Sequence, residues 1–397
     1  MSFLSFLQPK PCMECGYDPV FHRLERWSIV VDAMTSRVFR PIAGLSRLLT
    51  PLVGVLIDFV TYPIARCAVF FGIANIVRGP DGQASESAIA LWEEADVRGI
   101  EMYEIRFFGL PRRLFGASFK GRRIVFEGLP RPNRIQPSLE WLDNKEKMKK
   151  RFLRAGFPVA RGKACRTISQ ARKVLSEVSP VITKPHIGSG GRHTRAHIST
   201  DDELVHGFLS AKRLSPLVMV EEELIGPVFR ATLIEGKLVA VLRRDPPQVV
   251  GDGVSTVRAL VEGENKNPLR KGPVFAEISL TVPGVDYERI PKKDEVVMFH
   301  FKVNWGVGGT SRDATTQTHS DNAKLFKDIG AYLGDDIVGI DFMIGDITKS
   351  WKEQKRCGVI ECNSLPHIGN HHFPFTGPVV PVAGFIWDMV YPQSKPV

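Results

Sequence analysis

The chain has 397 residues, long enough for two or three domains with sizeable cores. Its 43% hydrophobic and 24% charged residues are ordinary for a folded, soluble protein and exclude a fibrous or disordered one. A formal net charge of +10 predicts attraction to anions such as nucleotides, acidic substrates or anionic lipid headgroups. Nucleic acid is not expected as a partner, because the sequence has no long Lys/Arg tract and no interleaving of aromatic with basic residues. The six cysteines are scattered rather than arranged as a disulfide framework, which predicts a reducing, cytoplasmic setting.

Residues 1–80 differ from the remainder. No cleavable signal is expected, since no basic start leads into an unbroken apolar core. Cys12-Met13-Glu14-Cys15 has the spacing of half a zinc site. No second Cys pair follows and His22 is the only close helper, so free thiols in an N-terminal arm are the expectation. Leu48 to Val77 is strongly apolar, yet Asp58, Arg66, Pro51 and Pro63 interrupt it. No charge-free run reaches the ~18–20 residues of a membrane-spanning helix. With arginines upstream, the stretch reads either as a helical segment lying peripherally on the inner membrane surface or as a hairpin packed on the body. A seam between two copies, giving a homodimer, is the third reading.

Arg78 to Gly82 is a turn or linker. Ser85 to Ala95 has an N-cap candidate and apolar spacings of three and four, which predict a helix stopped by Gly99. Ile100–Phe108 and Arg123–Phe126 are predicted strands, and Pro130-Arg131-Pro132 ends regular structure. Residues 81–140 therefore read as a small α/β domain and 141–390 as the main one. The latter opens on a basic helix from Leu142 to Ala155.

Three later stretches carry chemistry. Val181 to Pro185 is a strand ending in Lys184, followed by Gly188-Ser189-Gly190-Gly191-Arg192. Glycines let backbone amides approach an anion, and a lysine at a strand end meets phosphate as a point charge; the alternative is a plain turn. Leu217 to Val220 runs into Glu221-Glu222-Glu223-Leu224, which either offers main-chain groups and a carboxylate to an adenine edge or is a solvated charge run. Val338 to Ile344 and Gly358 to Asn363 read as buried strands punctuated by Asp341, Glu361 and Asn363. Glu361 and Asn363, two apart, share a face. Two carboxylates and an amide oxygen suit a hard cation such as Mg2+, whereas the plain reading is polar residues at strand ends.

In this order the parts resemble the ATP-grasp superfamily, and within it the ATP-grasp module of cyanophycin synthetases. Asn144-Lys145-Glu146-Lys147-Met148-Lys149 before Ala155-Gly156-Phe157-Pro158-Val159 looks like that family's Asp-Lys-x-x-x-Lys helix and Gly-Val-Pro turn. Arg243-Arg244-Asp245-Pro246-Pro247, Gly251-Asp252-Gly253, the Asn304 to Thr315 segment and His319-Ser320-Asp321-Asn322 resemble further runs of the family. The resemblance spans roughly Leu142 to Pro378. It departs at Val228, where an acid usually grips the ribose, and at Asn144, which replaces the usual Asp. The Mur-ligase-like second half of a full cyanophycin synthetase is absent, so only a single ligation step is implied.

The resemblance implies an α+β, ATP-grasp fold of two lobes gripping ATP, preceded by a small α/β domain and an apolar, helical N-terminal segment. It implies an ADP-forming carboxylate–amine ligase acting through an acyl phosphate on a small acid and a small amine. Lys149, Lys184, the loop residues 188–191 and Glu221, Glu222, Glu223 and Leu224 would bind the nucleotide. Asp341, Glu361 and Asn363 would hold Mg2+ or Mn2+. Arg243 or Arg244 would stabilise the moving phosphoryl group and Arg230 would orient the substrate acid, a surface ion-pair role being the alternative for all three. His367, His371 and His372 are either acceptor-site residues or structural ones in a loop. The competing functions are a small-molecule kinase on the same fold and a non-catalytic, membrane-associated nucleotide sensor.

Overall fold

The computed structural model describes Cys12, His22, Arg26, Trp27 and residues 67–395, except 110–113, 133–138, 140, 143, 188–190, 272–273 and 283. Most of the N-terminal segment, including Cys15, and the loop residues Gly188, Ser189 and Gly190 lie outside the described residues. No described helix is long and apolar enough to cross a membrane.

Strands β1 (Ala74–Val77), β2 (Glu101–Phe107), β3 (Leu114–Phe119) and β4 (Arg122–Glu127) form an antiparallel sheet in that order. Strand β3 is not expected from sequence, because Gly116 breaks its apolar run. That glycine is required: an added Cβ would stand 2.2 Å from the Tyr103 ring, which covers it from the paired strand. Helix α1 (Glu86–Val97), capped by the Ser85 hydroxyl, lays Leu91 and Trp92 on the sheet. Trp92 meets Phe115 edge-on at 5.6 Å.

Helix α2 (Lys145–Arg154) follows; the Asn144 side chain accepts the Lys147 N–H, so Asn serves as a cap here as well as Asp would. A second antiparallel sheet contains β5 (Gly162–Cys165), β6 (Val181–Pro185), β7 (Arg195–Ile198) and β8 (Val218–Glu222) in the order β5-β8-β6-β7. Helices α3 (Ile168–Glu177) and α4 (Asp201–Lys212) cover it, and capping boxes at Thr167/Gln170 and Thr200/Glu203 fix where each starts.

Beyond β8 the chain turns at Gly226, whose φ is +109°; a Cβ there would lie 2.3 Å from the Ile344 carbonyl oxygen. It enters β9 (Val228–Ile234) and β10 (Lys237–Asp245), then a hairpin of β11 (Gln248–Val250) and β12 (Val296–Met298) with α5 (Val257–Asn265) between them. Strand β13 (Thr310–Asp313), helix α6 (Ser320–Leu333), β14 (Ile337–Met343) and β15 (Gly358–Asn363) complete a five-stranded antiparallel sheet ordered β13-β10-β9-β14-β15. Alternation along β14 divides its side chains. Ile340 and Phe342 are fully buried in the core with α6, where Phe342 meets Phe326 at 5.4 Å, while Asp341 faces away.

Residues 369–372, read from sequence as loop, form a single helical turn, α7 (Gly369–His372). The last helix, α8 (Val382–Val390), returns to α1: Trp387 is fully buried and its Nε1–H donates to the Leu91 carbonyl at 3.0 Å. Their shared core also takes in Ile234, Ala240 and Ile337 of the five-stranded sheet, which ties the two sheets together.

Trp387→Ala removes a fully buried ring and the Leu91 hydrogen bond, so it should cost about 3–5 kcal/mol, whereas Phe70→Ala, at a ring 84% exposed, should stay within about 0.5 kcal/mol. Urea denaturation of the two variants measures the difference.

Candidate active site

A cavity of about 1090 Å³ opens between the β5–β8 sheet and the five-stranded sheet. Eight Lys or Arg side chains line it against five Asp or Glu, so its local field favours an anion.

On one wall Glu221 of β8 is held between two lysines. Its Oε1 is 2.6 Å from Lys184 Nζ on β6, and its Oε2 is 2.7 Å from Lys149 Nζ on α2. All three are buried, and Lys149 also donates to the Ala160 carbonyl at 2.9 Å. Burial alone would raise the Glu221 carboxyl, but the two ammonium charges outweigh it and bring it down to about 2. Burial, with the neighbouring Lys184 charge, lowers Lys149 against the pull of Glu221. One carboxylate thus faces two cations, and Lys184 lines the cavity where Lys149 does not.

The acidic run is therefore not a solvated one. Glu222 accepts from the Arg161 backbone N–H and guanidinium at 2.9 and 3.0 Å, and Glu223 accepts from the His197 N–H at 3.1 Å. The amides of Glu222, Glu223 and Ile225 bond to Arg161, Pro180 and Arg356 carbonyls. Among the described residues no bond to the Leu224 N–H is found. Arg356 fixes this turn by donating to the Glu223 carbonyl at 2.6 Å and the Pro180 carbonyl at 3.3 Å.

The opposite wall is set by register. Arg230 of β9 pairs with Asp341 of β14, and Asp341 with Glu361 of β15. Directly opposed residues in an antiparallel sheet share a face, so these three stand side by side, with Asn363 one pleat further along. Arg230 forks onto Asp341, Nε to Oδ1 at 2.6 Å and Nη2 to Oδ2 at 2.9 Å. Burial raises the Asp341 carboxyl, but Arg230 outweighs it and leaves it lowered. Glu361 shifts the other way: burial and the Asp341 charge push it up. Among the described residues no ion pair to Glu361 is found. Two opposed carboxylates, one short of cations, and an amide oxygen within the same cavity form a hard-oxygen donor set that fits a divalent cation.

The three arginines separate in role. Arg230 lines the cavity and is forked onto Asp341 through its Nε and Nη2. Arg243 pairs along its own strand with Asp245, Nε to Oδ1 at 2.8 Å. Arg244 lies largely buried, its nearest acid, Asp341, at 3.6 Å, and its Nε has no hydrogen-bond partner among the described residues. The Arg230 and Arg244 side chains are both largely buried rather than on the surface.

Of the histidines, His367 lines the cavity and bonds to Asn370 and Glu86. His371 is buried against the Thr232 hydroxyl at 2.8 Å, and burial brings it down to about 3, so it stays neutral. His372 accepts the Ala383 N–H at the start of α8. Neither lines the cavity. Val228 forms an apolar part of the cavity wall. Gly191 lines the cavity; the rest of its glycine loop is outside the described residues.

No family model matches the chain. It is 26% identical over 328 residues to the cyanophycin synthetase of Nostoc sp. (strain PCC 7120), covering 79% of this chain and 36% of that protein. The Synechocystis sp. (strain PCC 6803) cyanophycin synthetase is 31% identical over 258 residues, 61% of this chain and 29% of its own. The glutathione biosynthesis bifunctional protein GshAB of Mannheimia succiniciproducens is 30% identical over 275 residues, 64% of this chain and 36% of its own. The crystal structure of a bifunctional glutathione synthetase from Pasteurella multocida superposes with a TM-score of 0.56 at 24% identity, covering 78% of this chain and 44% of that one. The chain is similar in sequence to these synthetases, and its fold is the ATP-grasp fold.

The α+β, two-lobed expectation is met by this ATP-grasp fold. The chain spans about a third of the length of the curated relatives it matches. Two features of the ATP-grasp site escaped the sequence. The Glu221 bridge joins residues distant in the chain, and Arg356 gives no local signal of its hinge contacts.

Glu221→Gln leaves two buried ammonium groups without their counter-charge and should destabilise by about 3–5 kcal/mol in urea unfolding at pH 7. Because the folded carboxyl is lowered to about 2 from an ordinary 4.5, its contribution is fully present above about pH 4.5 and fades as pH falls towards 2. The gap between wild type and variant should therefore shrink over that window.

Proposed function

We propose that this ATP-grasp protein is an ATP-dependent carboxylate–amine ligase that releases ADP and phosphate and forms an amide or peptide-like bond. The observation that carries the reading is the facing of two walls across one cavity: Lys184 on Glu221, and Arg244 beside Asp341, Glu361 and Asn363. Phosphoryl transfer asks a protein for positioning and for cations around the moving oxygens, and this arrangement offers both. The relatives' names, cyanophycin synthetase and a glutathione biosynthesis protein, support amide formation.

In this reading the Leu224 amide and the apolar side chains Ile182 and Met343 receive the adenine. Lys184 meets the phosphate oxygens, and Lys149 holds Glu221 so that the pair of lysines keeps a net positive charge. Asp341, Glu361 and Asn363 are the donors for Mg2+ or Mn2+, which when bound neutralises charge on the phosphates. Arg244, rather than Arg230, orients the substrate carboxylate by a forked contact. A carboxylate oxygen attacks the γ-phosphorus, and the bond to the bridging oxygen breaks with its electron pair to ADP. The amine nitrogen then adds to the acyl carbon, loses a proton, and phosphate leaves. We further propose that residues 141–390 carry this chemistry, with 81–140 packed beside them.

Incubation with Mg2+, ATP and mixed amino acids should release ADP and phosphate in equal amounts, and hydroxylamine should trap a hydroxamate. AMP and pyrophosphate would contradict the mechanism; ADP without hydroxamate and with a stable phosphorylated product would favour a kinase. Lys184→Ala and Glu361→Gln should each lower kcat/KM by about 10²–10³-fold with the fold intact by circular dichroism.

A further inference from the structure

One cluster of metal-ligating side chains lies outside the cavity. Cys12, His22 and His193 bring a thiol sulfur and two imidazole nitrogens within 4.8 Å of one another. Cys12 Sγ is 3.5 Å from His193 Nε2, and His22 Nε2 is 3.0 Å from the same atom, across 181 and 171 residues of sequence. Zinc bonds of about 2.3 Å to sulfur and 2.0–2.1 Å to nitrogen give a tetrahedron with edges of about 3.6 Å for S···N and 3.3 Å for N···N. The two separations sit close to those edges. Cys12 and His193 are buried and His22 is half-buried.

The outer contacts also suit a metal. The His193 Nδ1 is 3.0 Å from the Ser210 hydroxyl of α4. With the Nδ1 proton donated to that oxygen, the Nε2 lone pair points into the cluster, as a metal-ligating histidine requires. Thiolate and imidazole together select Zn2+ over the hard cations that suit Asp341, Glu361 and Asn363. Cys15, three residues after Cys12, is outside the described residues; the three placed ligands carry the argument.

We propose that Cys12, His22 and His193 bind one Zn2+ that fastens the N-terminal arm to the nucleotide-side lobe. His193 follows Gly191 and Arg192, which line the cavity, and Leu214, packed against Cys12, lines it too. The metal therefore anchors the C-terminal end of the glycine-rich loop. Its role is to hold the arm and the end of that loop in place.

The test is Co2+ titration of the full chain after chelator treatment, followed by Zn2+ displacement. One equivalent should bind per chain, with intense tetrahedral visible bands and a thiolate charge-transfer band, and Zn2+ should bleach both. Cys12→Ser should remove the charge-transfer band, His193→Gln should weaken binding at least 100-fold, and Ser210→Ala should weaken it about 10-fold. Cys67→Ser, at an exposed thiol, should change nothing. Should His193→Gln misfold by circular dichroism, the Ser210→Ala affinity and the wild-type spectrum decide. Weak octahedral bands without a thiolate band, or a thiolate band that survives Cys12→Ser, would overturn the site. Neither readout depends on turnover, so it stands or falls apart from the ligase reading.

Discussion

One buried carboxylate shared by two buried ammonium groups is the constraint on which the site depends. Glu221 draws Lys149 of α2 and Lys184 of β6 to the end of β8, three elements that share no local sequence. Taking charges out of water costs several kcal/mol per ion, and a single carboxylate cannot offset two cations. The surplus positive charge is turned towards the cavity through Lys184, the lysine that lines it. That surplus would suit an anion of several charges, such as the triphosphate of the proposed substrate.

The facing wall has the complementary design. Sheet register, not loop geometry, sets Arg230, Asp341 and Glu361 in a row on β9, β14 and β15. Sites on strands are held more tightly than sites on loops. The Arg230 fork fixes the Asp341 carboxylate, and Glu361 is left raised by burial and by that neighbour. One sheet face thus presents an anchored acid, an acid short of a cation, and Arg244 with nitrogen still to be satisfied. That unevenness is what distinguishes a reactive surface from a structural ion-pair ladder.

Much of this was legible from the sequence, for a physical reason. Strands β6, β14 and β15 are short buried runs, so a Lys, Asp, Glu or Asn inside them stands out against apolar neighbours. The run of Glu221, Glu222 and Glu223 was ambiguous because its partners, Lys149, Lys184, Arg161 and His197, are remote in the chain. Nothing near Arg230 in sequence reveals its contact with Asp341, 111 residues on. Strand β3 was lost to Gly116, which the Tyr103 ring covers only once the sheet has formed. The return of α8 onto α1, across 296 residues between Trp387 and Leu91, has no local trace either. The approach of His193 to Cys12 has no local trace, because the two stand 181 residues apart.

The central claim is that both walls act on one nucleotide. Diffraction from crystals grown with a non-hydrolysable ATP analogue and Mn2+ tests it most directly, because the anomalous signal locates the metal independently of the refined chain. The account predicts a peak among the oxygens of Asp341, Glu361 and Asn363, with the analogue's phosphates against Lys184. A peak elsewhere, or phosphates lying away from Lys184, would contradict it.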